Sequence, residues 1–131
     1  MPVLLSVVFV LIIAGCQSAP EEMPPNLSQM EMFQRAQEAA DEDDYDQALR
    51  YYQEFIARYP DDESSIIEAE YEIAFIAYKQ ERYDEALSGF NAILASYDDG
   101  TGRQLPEWPR VLSARLIERI DELQAASDET G

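Results

Sequence analysis

From Ser28 onward the chain sets apolar residues three and four positions apart, the spacing that gathers one face of an α-helix. Five helical segments result: about 28–40, 45–59, 64/65–80, 83–97 and 108–125/126. Ser28 with Glu31 has the form of a capping box, in which a hydroxyl and a carboxylate each accept from the other's backbone N–H. Pro60 ends the second segment, and Asp98-Asp99-Gly100 follows the fourth. Pro109 fits the first turn of the fifth, where a missing N–H does no harm. No segment alternates with β-branched enrichment, so the expected fold class is all-α.

The segments repeat. Asp44-Tyr45-Asp46-Gln47-Ala48-Leu49 returns as Arg82-Tyr83-Asp84-Glu85-Ala86-Leu87, 38 residues later. Ala36 with Ala74 and Ile56 with Leu94 share that spacing, and Tyr52 matches Phe90. A period of this size in helices signals a solenoid of stacked hairpins.

The pattern resembles the tetratricopeptide repeat, a unit of about 34 residues with a small residue at the helix crossing, a turn Tyr, an Ala in the second helix and a Pro after it. Here Ala36 and Ala74, Tyr45 and Tyr83, Ala48 and Ala86, and Pro60 hold those places across residues 30–99. The period is four residues longer, Asp98 stands where a second Pro is usual, and Arg35 where Leu is usual. The resemblance implies a short tetratricopeptide-like (TPR-like) helical solenoid: two helix hairpins plus a C-terminal capping helix. The last segment reads as an unfinished third repeat, with Ala114 in the small-residue role and Val111, Leu112, Leu116, Ile120 and Leu123 forming one stripe. In that family certain first-helix positions line a concave groove and contact protein partners. Matching by motif, these are Met30, Phe33, Gln37, Ala40 and Asp41 in the first repeat. In the second they are Glu68, Tyr71, Phe75, Tyr78 and Lys79, and in the half repeat Trp108, Val111, Arg115, Glu118 and Arg119. Tyr71, Phe75, Tyr78, Lys79, Trp108, Arg115 and Arg119 are the expected partner contacts, since aromatics and Arg dominate binding hot spots. A plainer reading stands beside it: aromatics at helical spacing are core, Trp108 plugs the loop 99–107, and the arginines pair with neighbouring acids.

Ahead of the helices, residues 3–13 are apolar apart from Ser6, too short to span a bilayer but the length of a signal-peptide core. Ile13-Ala14-Gly15-Cys16 resembles the lipobox of bacterial lipoproteins, although Met1-Pro2 supplies no basic residue. The resemblance implies cleavage before Cys16, a diacylglycerol and an N-acyl chain on it, and stable anchoring by several chains. Gln17 in the following position points to the outer membrane and a periplasm-facing protein. The expected organisation is a signal peptide over 1–15, lipidated Cys16 and a Pro-rich linker to 27, the helical domain over 28–126 and a disordered tail over 127–131.

Charge narrows the function. The chain carries 27 acidic and 9 basic residues, no histidine and a net charge of −18. Such a surface repels nucleic acid and anionic headgroups. The excess of acids and of Arg over Lys also resembles salt-adapted surfaces, on which carboxylates stay hydrated. Without histidine there is no His-based acid, base or triad, and no Gly-rich phosphate loop is present. Glycosidase-type carboxylate pairs need one desolvated acid, and no acidic residue is expected within an apolar run. Asp41–Asp46 fails as a calcium loop, with Asp46 in place of Gly and Tyr52 in place of Glu. No enzyme, cofactor or metal is expected.

Two function classes remain. One is a membrane-anchored interaction scaffold, resembling the repeat lipoprotein of outer-membrane β-barrel assembly and the Tol-associated division coordinator family. The other is a structural or stress-related envelope lipoprotein whose acidic surface hydrates or binds cations. So few repeats bury little core, so pairing with a second copy or a larger assembly is expected.

Overall fold

The computed structural model describes residues 22–101 and 103–130. Cys16, the lipobox and the signal segment lie outside the described residues. Five helices follow in order: α1 (Gln29–Asp41), α2 (Tyr45–Arg58), α3 (Glu63–Lys79), α4 (Tyr83–Tyr97) and α5 (Glu107–Thr130). There is no strand among the described residues.

The local signals explain most boundaries. Ser28 Oγ accepts from Glu31 N–H at 3.3 Å, and the Glu31 carboxylate accepts from Ser28 N–H at 2.9 Å, closing the capping box. Asp44 caps α2 through Gln47 N–H, and Asp62 caps α3 through Ser65 N–H, so α3 starts at Glu63, slightly ahead of the expected serines. α5 continues to Thr130 rather than ending at 125/126: Gln124, Ala125 and Ala126 favour helix, and nothing before Gly131 breaks it. Residues 127–130 are therefore the last turn of α5 rather than a loose tail.

The repeat is visible in backbone detail. α1 and α3 end the same way, with Asp43 (φ 59) and Glu81 (φ 58) left-handed at equivalent places. Asp44 N–H reaches Ala39 O, and Arg82 N–H reaches Ala77 O, both at 2.9 Å. These are the long bonds of a Schellman motif, which reverses the chain into the next helix.

α1 packs on α2 and α3 on α4 as hairpins; α2–α3 and α4–α5 contacts stack them, and α5 touches α3 more lightly. Two apolar clusters result. The first joins Met32, Ala36, Tyr52 and Phe55 with Ala69 and Ile76 of α3. The second joins Tyr71 and Ala74 of α3 with Ala86, Phe90, Ile93 and Ile120. α3 feeds both and is buried on two sides. The described part of the linker rests on the domain: Met23 and Leu27 pack against the first cluster, and Arg58 donates to Pro25 O at 3.2 Å.

α5 turns most of its expected stripe inward, with Ile120 buried and Leu112 and Leu116 packed against the second cluster, but Val111 and the small-residue position fall outside it. Pro109, Ser113 and Ile120 are buried against the preceding hairpin, whereas Ala114 is exposed and Val111 is 38% exposed.

α3 and α4 cross closely at Ala74 and Gly89. A Cβ built on Gly89 would lie 2.7 Å from Ala74 Cβ, an atom fixed to the backbone. Gly89→Ala is expected to destabilise the domain by about 1–2 kcal/mol, because overpacking outweighs the roughly 1 kcal/mol gained in helix propensity. Urea unfolding checks this, and a variant as stable as the parent would contradict the tight crossing.

Candidate partner-binding groove

The first helices of the two hairpins leave a cleft between them. α1 contributes Gln37, Ala40 and Asp41 to it, and α3 contributes Glu72, Phe75 and Lys79. Tyr45 and Tyr52 of α2 and Ile76 of α3 complete the lining of a pocket of about 380 Å³. Five of these residues, Gln37, Ala40, Asp41, Phe75 and Lys79, are positions that the repeat motif placed on the groove.

An aromatic ladder runs away from this pocket along α3. Tyr71 and Phe75 stack at 6.0 Å between ring centroids, and Phe75 and Tyr78 at 5.9 Å. Tyr83 continues it at 6.1 Å from Tyr78, and Trp108 meets Tyr71 edge-on at 5.0 Å. One period of α-helix accounts for the row, since residues 71, 75 and 78 fall on one face. The ladder is graded in exposure: Tyr71 is 6% exposed, Phe75 and Tyr78 are half-buried, and Trp108 is 38% exposed. Tyr71 thus belongs to the core and supports the row, and burial pushes its hydroxyl up to about 12. Lys79 is exposed at the pocket rim.

The arginines are placed elsewhere. Arg115 lines a separate hollow of about 570 Å³ with Leu94, Asp98, Val111, Ala114 and Glu118, between α4 and α5. Arg119 pairs with Glu122 on the exposed face of α5 at 3.2 Å. The expected cluster of Lys79 with both arginines is therefore not assembled in one place. Arg103 holds the α4–α5 loop instead, donating to Ser96 O at 3.1 Å and pairing with Asp99.

Four cleft residues escaped the motif: Ile76, a core residue of α3, and Tyr45, Tyr52 and Glu72. Tyr45 and Tyr52 come from α2, the second helix of the hairpin, whose register the groove positions do not include. Glu72 was hidden by its neighbours: it stands between Tyr71 and Ile73, so an acid does interrupt an apolar stretch. Tyr52 is 1% exposed, and its hydroxyl has no hydrogen-bond partner among the described residues. Burial, then the nearby charges of Glu72 and Asp41, push its pKa well above the usual tyrosine range, so it holds its proton more tightly. Glu72 is half-buried, and burial, then Asp41 and Glu68, raise its carboxyl above the usual value.

The acidic turn after α1 has structural employment. Asp44 caps α2, and Asp43 accepts from the Tyr45 hydroxyl at 2.6 Å. Among the described residues no group of three or more His, Cys, Asp or Glu side chains is placed to hold a metal, and no helix is long and apolar enough to cross a membrane.

Comparison with known families rests on the same repeats. The tetratricopeptide repeat model matches residues 27–62 and 68–100. The chain belongs to the tetratricopeptide repeat family. Its matched segments cover α1–α2 and α3–α4, the two hairpins that form the cleft. An uncharacterized protein of Treponema pallidum (strain Nichols) is 33% identical over 99 residues, which cover 74% of this chain and 40% of that protein. The chain therefore spans less than half the length of that relative. No solved structure matches. Repeats of this family serve as protein-interaction scaffolds, and the cleft lies where such a scaffold presents its inner face.

The raised Glu72 carboxyl carries a pH signature. A carboxyl whose folded pKa lies above its unfolded one binds its proton more readily in the folded state. Stability is therefore gained as pH falls from neutral toward the folded pKa and lost as pH rises through it. Thermal melting should show this gain, and Glu72→Gln should raise stability at neutral pH by on the order of 1 kcal/mol while shrinking the gain. An unchanged pH slope in Glu72→Gln would contradict the placement.

Proposed function

We propose that this chain is a lipid-anchored scaffold of the cell envelope whose inner groove holds a segment of a protein partner. The observation that carries the docking half is the joined cleft and aromatic ladder: a pocket between α1, α2 and α3 continues into Phe75, Tyr78 and the partly exposed Trp108. Stacked aromatics offer large contact area with few rotatable bonds to immobilise, which suits a binding surface. The anchoring half rests on Ile13-Ala14-Gly15-Cys16, with its apolar run before and its polar linker after. A diacylglycerol and an N-acyl chain on Cys16 would hold the protein at the membrane, and Gln17 favours the outer one facing the periplasm. Confinement there raises the effective concentration of a docking surface, so modest affinity suffices. Outer-membrane protein assembly or envelope organisation is the proposed setting.

The uncovered end of the solenoid supports self-pairing. Arg115 and Glu118 line the α4–α5 hollow, and no ion pair among the described residues engages either. An antiparallel α5 from a second copy would set Arg115 opposite Glu118 and Glu118 opposite Arg115, covering Val111 and Ala114. Sedimentation is expected to show a dimer that Arg115→Glu weakens and the combined Arg115→Glu, Glu118→Arg exchange restores. A monomer at all concentrations would refute self-pairing.

Photo-crosslinking in intact membranes tests the docking reading. A crosslinking residue in place of Lys79 or Trp108 is expected to give one discrete product. One in place of Gln53, exposed on α2, is expected to give none. Cys16→Ser should move the protein to the soluble fraction and diminish the product by tenfold or more. Equal products from both faces would defeat the groove assignment, and a membrane-held Cys16→Ser variant would defeat the anchor.

A further inference from the structure

The pocket at the end of the ladder has a chemistry of its own. Its floor holds a phenol oxygen without a partner, from Tyr52, a residue 1% exposed. Burying a polar group without a hydrogen bond costs about 1–3 kcal/mol, so such a group invites a partner. Two carboxylates share the lining, those of Asp41 and the half-buried Glu72. No ion pair among the described residues engages either. Lys79 stands at the rim, but the charges that act on Glu72 are those of Asp41 and Glu68, both negative. Phe75 supplies an aromatic surface in the same lining.

We propose that this pocket receives an arginine side chain of the docked partner segment. The inference rests on the docking reading above and names its anchor residue. An acidic pocket with an unused hydroxyl oxygen presents clustered acceptors, and the donors in its own lining, Gln37 and Lys79, make no hydrogen bond or ion pair with them among the described residues. A guanidinium brings five N–H donors in one plane, enough to serve two carboxylates and the phenol oxygen together. The same plane stacks on an aromatic ring, a contact open to it at Phe75. A lysine ammonium is a compact and more strongly hydrated charge, and matches a spread set of acceptors less well. A carboxylate-bearing segment would meet like charge at both Asp41 and Glu72.

The test is a nuclear magnetic resonance titration of the full chain in micelles with N-acetyl-arginine-amide, using the norleucine and lysine analogues as controls. The arginine probe is expected to give saturable shifts at Gln37, Asp41, Glu72 and Lys79. Its affinity should exceed that of either control and fall about tenfold in Glu72→Gln, a variant whose folding the melting experiment checks. Equal response to arginine and norleucine, a lysine analogue binding as tightly as arginine, or a Glu72→Gln titration matching the parent would each overturn the assignment. A pocket that holds only water gives no shift with any probe, which also overturns it. Crosslinks through Lys79 and Trp108 that persist without arginine binding would sink the arginine anchor alone. Arginine binding without crosslinks would sink the docking reading alone.

Discussion

Close approach between helices is the constraint on which this molecule depends. At Ala36 and Ala74 the first helix of each hairpin presents a residue no larger than a methyl group, and opposite Ala74 the second hairpin offers Gly89, with no side chain at all. Small residues let helix axes approach, and close axes let the neighbouring large residues interlock. Met32, Tyr52 and Phe55 interlock around the first crossing, and Tyr71, Phe90 and Ile93 around the second. Each hairpin alone would leave one side of its apolar surface in water. Stacking through α3, which contributes to both clusters, closes them into one domain.

The groove is a by-product of that stacking. When hairpins stack by packing α2 on α3, the first helices α1 and α3 face the same side without filling the space between them. Whatever side chains the geometry leaves there become the inner surface. In this chain they are a stacked aromatic row, a rim lysine, and a recess of acids around an unpartnered phenol. The interior thereby carries an electrostatic penalty at Glu72 and a hydrogen-bond deficit at Tyr52. Both offset stability that an apolar lining would keep, as is common where a surface is arranged for a ligand rather than for the fold.

The two ends of the stack differ. α1 begins with a closed capping box and receives Met23 and Leu27 from the preceding segment along its hairpin. α5 buries Pro109, Ser113 and Ile120 on one side and leaves Val111 and Ala114 uncovered on the other. A solenoid's stability comes from neighbouring units, so an uncovered end is both its weakest interface and its readiest place for addition.

Periodicity alone determined the helices, their order and the repeat, because helix formation answers to residue spacing, caps and breakers that are local in the chain. Ser28 with Glu31, Pro60, and the paired alanines 38 residues apart could be read directly. Groove positions were legible too, as far as one helix's register carries: Gln37, Ala40, Asp41, Phe75 and Lys79 do line the cleft. Tertiary structure decided what lies between helices. It buried Tyr71, an expected partner contact, sent Arg115 to the α4–α5 hollow, and left Ala114 exposed on α5. It also brought Tyr52 and Glu72 together in one pocket, a pairing no sequence spacing encodes. Burial depends on which faces meet, and that is set by the packing of whole helices rather than by any residue's neighbours in sequence.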